Sequence, residues 1–79
     1  MPKRIFIGGL SLTTTNATLN TNFSPFGTLV MLAVNLDASG QSLGNANGEY
    51  TTDQAGTDAI AAMNGATIDG STISVVEGR

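Results

Sequence analysis

Leu43-Gly44-Asn45-Ala46-Asn47-Gly48-Glu49-Tyr50 is the stretch on which the fold turns. Its glycines and asparagines disfavour a strand, and Asn47-Gly48 suits a tight hairpin turn. Taken as a strand, the same residues alternate. Asn45, Asn47 and Glu49 then share one face, and Ala46, Gly48 and Tyr50 the other. The turn reading leaves a gap where the strand reading completes the order β-α-β-β-α-β.

The flanking elements are plainer. Leu29 to Leu36 is almost wholly apolar, so either face of that strand can be buried. Asp37-Ala38-Ser39-Gly40-Gln41-Ser42 follows it as a turn or loop. Nearer the start, Arg4 to Gly8 alternates as a strand, with Ile5 and Ile7 on one face and Phe6 on the other. Thr15 is suited to cap a helix from Asn16 to Ser24, which Pro25 and Gly27 then end. That helix is rich in Thr and Asn, so its formation depends on docking Leu19 and Phe23 onto a core. After the ambiguous stretch, Thr52 or Asp53 caps a second helix from Asp53 to Asn64, with Ala55, Ala59, Ile60 and Met63 as its apolar stripe. Gly56 weakens this helix by about 1 kcal/mol relative to Ala. Asn64-Gly65 ends it and Asp69-Gly70 marks a turn. Thr72 to Val76 is the last strand, with Ile73 and Val75 on one face.

Composition narrows the function. The chain has 79 residues, which predicts one domain over 1–79. It carries three basic and six acidic residues, a net charge of -3 with 11% charged residues, and no Cys or His. Thr, Asn, Ser, Gly and Ala must therefore fill the surface. The absence of Cys and His removes disulfides, thiolate chemistry and the usual zinc ligands. No nucleophile has a base beside it, and Asp37 to Gln41 lacks the carboxylates of a calcium loop. The expectation is a non-enzymatic monomer without cofactor, metal, membrane or small-molecule substrate. The first ten residues are too short an apolar stretch for a signal peptide or a span, and the compartment stays unassigned.

Ile5-Phe6-Ile7-Gly8-Gly9-Leu10 resembles the hexamer motif of the RNA-recognition motif (RRM) family. Phe23-Ser24-Pro25-Phe26-Gly27 resembles that family's exit from its first helix. Ala59-Ile60 with Met63-Asn64-Gly65 resembles its second helix, and Ile68-Asp69-Gly70 its entry into the last strand. The resemblance covers nearly the whole chain in order. It implies an α+β, ferredoxin-like α/β plait: a four-stranded antiparallel sheet in the order 4-1-3-2, with both helices on one face. The family's octamer motif reads K/R-G-F/Y-G/A-F-V-x-F/Y. Here Gly44, Ala46 and Tyr50 match it, but Leu43 replaces the basic residue, Asn45 and Asn47 replace both stacking aromatics, and Gly48 replaces the core Val.

Bases stack on rings of the central strands in this family. Losing two rings removes roughly 2–6 kcal/mol of binding energy if the effects add. Three cations against six anions give no basic patch to attract phosphates. The main expectation is therefore a designed or resurfaced protein that keeps the fold without an evolved ligand. The alternative is weak recognition of single-stranded RNA through Phe6, Asn45, Asn47 and Met31, with Lys3, Arg4 and Arg79 as phosphate contacts. Lys3-Arg4 also reads as a plain solvated terminus, and the asparagines as a polar solvent-facing surface. A further alternative is a protein-interaction module built on the apolar residues Phe6, Met31, Ala33 and Val76.

Overall fold

In the computed structural model, which describes residues 1–78, the ambiguous stretch is a strand and sits inside the sheet. The elements run β1 (Lys3–Gly8), α1 (Asn16–Phe23), a 3-10 turn (Ser24–Phe26), β2 (Leu29–Leu36), β3 (Ser42–Tyr50), α2 (Asp53–Met63), β4 (Thr67–Ile68), β5 (Ser71–Thr72) and β6 (Ser74–Glu77). Four strands form one sheet in the order β2-β3-β1-β6, which is the expected arrangement with β6 as the last strand. All its neighbours are antiparallel. Both helices contribute buried residues to the core, and the opposite sheet face is open.

Both helix starts follow from their caps. Thr15 accepts from the Thr18 amide at 3.2 Å, and Thr52 accepts from the Ala55 amide at 3.2 Å. Leu19, Phe23 and Ala59 are fully buried, while Ile60 and Met63 pack half-buried at the margin.

β3 forms against its local preference because it is paired on both sides, and tertiary context outweighs strand propensity. Its inward residues Ala46, Gly48 and Tyr50 are buried. A side chain at Gly48 has no room: an added Cβ would lie 2.9 Å from Leu32 Cδ1 and 3.2 Å from Ile5 Cγ1. Leu32 and Ile5 have closed over the space that a larger residue fills in the family pattern. Tyr50 anchors the end of the strand by donating its buried hydroxyl to the Phe23 carbonyl at 2.6 Å. Burial pushes that hydroxyl's pKa up to about 12.

The turn weighed at Asn47-Gly48 does not form, whereas the turn expected between Asp37 and Ser42 does. There Gly40 donates to the Asp37 carbonyl at 3.0 Å. The Asp37 carboxylate accepts from the Ser39 hydroxyl at 2.7 Å, the Ser39 amide at 2.9 Å and the Gln41 amide at 3.0 Å. These bonds, the Ser39 hydroxyl foremost, hold the Asp37 carboxyl below its ordinary range.

The end of the chain departs from the expected single strand over Thr72 to Val76. Thr72 belongs to a small hairpin, β4–β5, closed by Asp69 (φ 51) and Gly70 (φ 80). The Ile73 amide turns to the Ala66 carbonyl at 2.9 Å, so the main-sheet strand starts only at Ser74.

Candidate nucleic-acid interface

Alternation along four paired strands decides what the open face carries. Its middle row is Ala33, Asn47, Phe6 and Val76, each opposite the next on the neighbouring strand. One row toward the chain start lie Met31, Glu49 and Arg4. On the other side Gly8 lies opposite Ser74. Phe6 is half-buried at the centre, and a Cβ added to Gly8 would lie 3.6 Å from Phe6 Cε2. The ring thus leans over a residue that has no side chain to block its approach.

The apolar patch expected from Phe6, Met31, Ala33 and Val76 is divided. Phe6 and Val76 are adjacent across β1 and β6, and Met31 and Ala33 lie together on β2. Asn47 and Glu49 on β3 separate the two halves.

The expected polar residues divide as well. Asn45 and Asn47 both point to the open face and are tied to Asn35 of β2, whose Nδ2 donates to Asn45 Oδ1 at 2.7 Å and to Asn47 Oδ1 at 2.8 Å. Asn35 was not among the expected site residues. Its position in β2 has the same parity as Met31 and Ala33, which is the signal that places it on this face.

The expected cations fare differently from one another. Arg4 is on the open face, with its Nε 3.2 Å from Glu49 Oε1. Lys3 is not on that face. It has the parity of Ile5 and Ile7 and crosses α2 at Gly56, where an added Cβ would fall 2.6 Å from Lys3 Cγ. Its ammonium lies 3.1 Å from Asp53, 3.3 Å from Glu77 and 3.4 Å from the Thr57 hydroxyl. The hydrogen bond to Asp53, then that to Glu77, raises the Lys3 pKa. Lys3 thus bridges β1, α2 and β6 on the face opposite Phe6, and its Gly56 slot turns an expected helix weakness into a packing requirement. Arg79 lies outside the described residues. No group of three or more metal-ligating side chains occurs among the described residues, and no helix is long and apolar enough to cross a membrane.

Comparison with known proteins overturns one expectation. The chain is 48% identical over 69 residues to the chloroplastic organelle RRM domain-containing protein 1 of Zea mays, covering 86% of this chain and 17% of that protein. It is 38% identical over 73 residues to glycine-rich RNA-binding protein 2 of Sorghum bicolor, covering 91% of this chain and 44% of that protein. The chain thus spans less than half the length of these relatives. Among solved structures it superposes on the Sex-lethal RNA recognition domains 1 and 2 of Drosophila melanogaster with a TM-score of 0.92 and 23% identity, covering 98% of this chain and 50% of that one. Natural plant proteins this similar contradict the reading of a designed or resurfaced sequence without an evolved ligand. A sequence model of the RNA recognition motif matches residues 5–74, and the chain belongs to that family.

Proposed function

We propose that this chain is a non-catalytic RNA-binding module that receives single-stranded RNA on its open sheet face, with one base stacked on Phe6. The observation that carries this reading is the placement of Phe6: central strand, half-buried, over Gly8 and between Asn47 and Val76. The name of the Sorghum bicolor relative, an RNA-binding protein, supports it. A single ring contributes about 1–3 kcal/mol per stacked base. Arg4 is the cation positioned on this face, so the salt dependence is shallow, near the slope of about -0.7 expected for one phosphate contact on a single strand.

The test is an NMR titration of labelled protein with a mixed-sequence single-stranded RNA octamer at low and moderate salt. Saturating shifts clustered at Phe6, Met31, Asn45 and Asn47 are expected, with affinity lowered roughly 5- to 150-fold by Phe6→Ala. A well-dispersed spectrum that does not move as RNA is added overturns the reading. So does a Phe6→Ala protein that binds as wild type.

A further inference from the structure

The sheet ends on one side at β2, and the Val34 amide shows how that edge is kept. It donates to Asn16 Oδ1, at the start of α1, at 2.8 Å. Backbone groups of an antiparallel strand alternate between its two sides, so Met31 and Ala33 bond β3 while Leu32 and Val34 turn outward. Among the described residues, the Leu32 amide and the Leu32 and Val34 carbonyls have no protein partner on that side. β2 carries no charged residue and no proline over Leu29–Leu36, and these are features that ordinarily blunt an edge. Val30 and Leu36 lie exposed along it. Register shifts between Leu29 and Met31 and between Val34 and Leu36 confine its regular part to residues 31–34. The opposite edge, β6, is four residues long and carries Glu77.

We propose that the β2 edge is a docking strand for a second copy of this chain, and that Asn16 is the latch that opposes it. Unpaired backbone groups along an extended strand are completed by another extended strand. A second β2, laid antiparallel about a two-fold axis at Ala33, supplies the required pattern from the same residues. Leu32 of each copy then faces Val34 of the other, and the two pairs form four backbone hydrogen bonds. The two Ala33 side chains meet at the axis, where a methyl group leaves room. The chain's net charge of -3 does not oppose the contact at the strand, because β2 is uncharged and the antiparallel arrangement sends the two Asp37 residues to opposite ends. Two of the four bonds need the Val34 amides that Asn16 holds. Pairing therefore breaks both latches, and the short regular stretch keeps the dimer weak. The axis stands perpendicular to the sheet, so the two open faces lie on the same side of one continuous sheet.

Sedimentation equilibrium across a wide concentration range tests this on wild type, Asn16→Ala, Asn16→Asp and the double variant Asn16→Ala with Ala33→Lys. Asn16→Ala releases both Val34 amides, and the dimer is expected to tighten roughly 5- to 150-fold, the worth of two ordinary hydrogen bonds. Asn16→Asp keeps an acceptor oxygen for the same amide and is expected to associate no more tightly than wild type. Adding Ala33→Lys places two ammonium groups opposite each other at the axis and returns the Asn16→Ala protein to the wild-type level or below. Concentration-dependent amide shifts of the Asn16→Ala protein are expected to cluster on residues 30–36, which loss of a contact at the helix start does not produce by itself. Each variant's amide spectrum checks that the fold persists. Asn16→Ser, with a shorter side chain, stands in should Asn16→Ala fail to fold, and Val34→Pro, which has no amide, stands in for Ala33→Lys.

An Asn16→Ala protein that associates no more tightly than wild type overturns the inference and leaves the edge to a strand of another protein or to water. Association that survives Ala33→Lys overturns it by placing the contact elsewhere on the surface. So do Asn16→Ala and Asn16→Asp proteins that tighten alike, because an acceptor at position 16 then holds nothing back. No RNA enters these measurements, so the RNA-binding reading stands or falls separately.

Discussion

β3 presents two faces that obey different rules. Inward, Ala46, Gly48 and Tyr50 are buried against the core, and their sizes are set by Leu32, Ile5 and the Phe23 carbonyl. Outward, Asn45 and Asn47 accept from Asn35, and Glu49 pairs with Arg4 on the open face. Side chains alternate with a period of two, so a strand can keep one parity for folding while the other drifts in chemistry. The inward parity retains the packing requirement even where Gly replaces the family's Val. The outward parity carries Asn where the family pattern has rings, and Asn47 still pairs with both Phe6 and Ala33.

The largest effect expected is the contrast between two phenylalanines. Phe23 is fully buried, and Phe23→Ala should cost about 3–5 kcal/mol of stability. Against a total of about 5–15 kcal/mol for a small domain, that brings the chain close to unfolding. Phe6→Ala on the open face should change stability by no more than about 1 kcal/mol while lowering RNA affinity roughly 5- to 150-fold. Urea denaturation of both variants measures the contrast. Equal losses would mean that the open face carries the fold as well.

Next in size is alkaline titration of Tyr50. Its folded pKa of about 12 lies above the ordinary tyrosine value of 10.0, and the protonated form is the neutral one. The folded state therefore favours the protonated hydroxyl. Stability is complete below pH 10, and about 2–3 kcal/mol of it is lost as pH rises toward 12. Lys3, also raised, loses its ion pairs in the same direction at high pH. Tyr50→Phe keeps the Lys3 contribution and removes the tyrosine's, so the difference between their denaturation curves across this window isolates Tyr50. At neutral pH the same variant should lose about 1 kcal/mol, because the Phe23 carbonyl loses its donor.

How much of this was legible depends on how local the cause was. Ile5, Ile7, Leu19, Phe23 and Ala59 declared themselves by periodicity, and the Asp69-Gly70 turn by its residue types. β3 did not, because what makes it a strand is pairing on both sides and the Leu32 and Ile5 side chains that close over Gly48, all distant in sequence. Lys3 and Arg4 were grouped by adjacency, although strand alternation sends them to opposite faces and Gly56 makes the slot that receives Lys3. Asn35 was hidden in an apolar run whose faces could not be told apart until a partner strand was present.

Gly48→Val tests the inward parity directly. It restores the family's residue, yet the Cβ alone would sit 2.9 Å from Leu32 Cδ1. Overpacking should cost about 1–3 kcal/mol. Leu32→Ala made together with it should recover part of that loss, a coupling read from the double-mutant cycle. A Gly48→Val protein more stable than wild type would show that the core around β3 is soft, and would weaken the contrast between the two faces.

The smallest effect concerns the outward charge. Glu49 lies between Met31 and Arg4 in its row, and its carboxylate stands 3.2 Å from the Arg4 guanidinium. The Glu49 side chain is 19% exposed and that of Arg4 is 64% exposed. On a face that receives phosphates, such a carboxylate both repels the ligand and offsets the nearby cation. Glu49→Gln keeps the shape and the strand parity and removes the charge. An exposed charge pair of this kind is worth about 0.2–1 kcal/mol, so stability should move by no more than that. RNA affinity at low salt should rise about two- to fivefold, while the salt slope stays near the value of about -0.7 for one phosphate contact, because Arg4 remains the cation on this face among the described residues. Binding isotherms at several salt concentrations measure both quantities. Higher affinity with an unchanged slope would mean that Glu49 acted by repulsion alone. No change in either would place the phosphates away from the Arg4 row, and so confine the RNA path to Phe6 and the three asparagines.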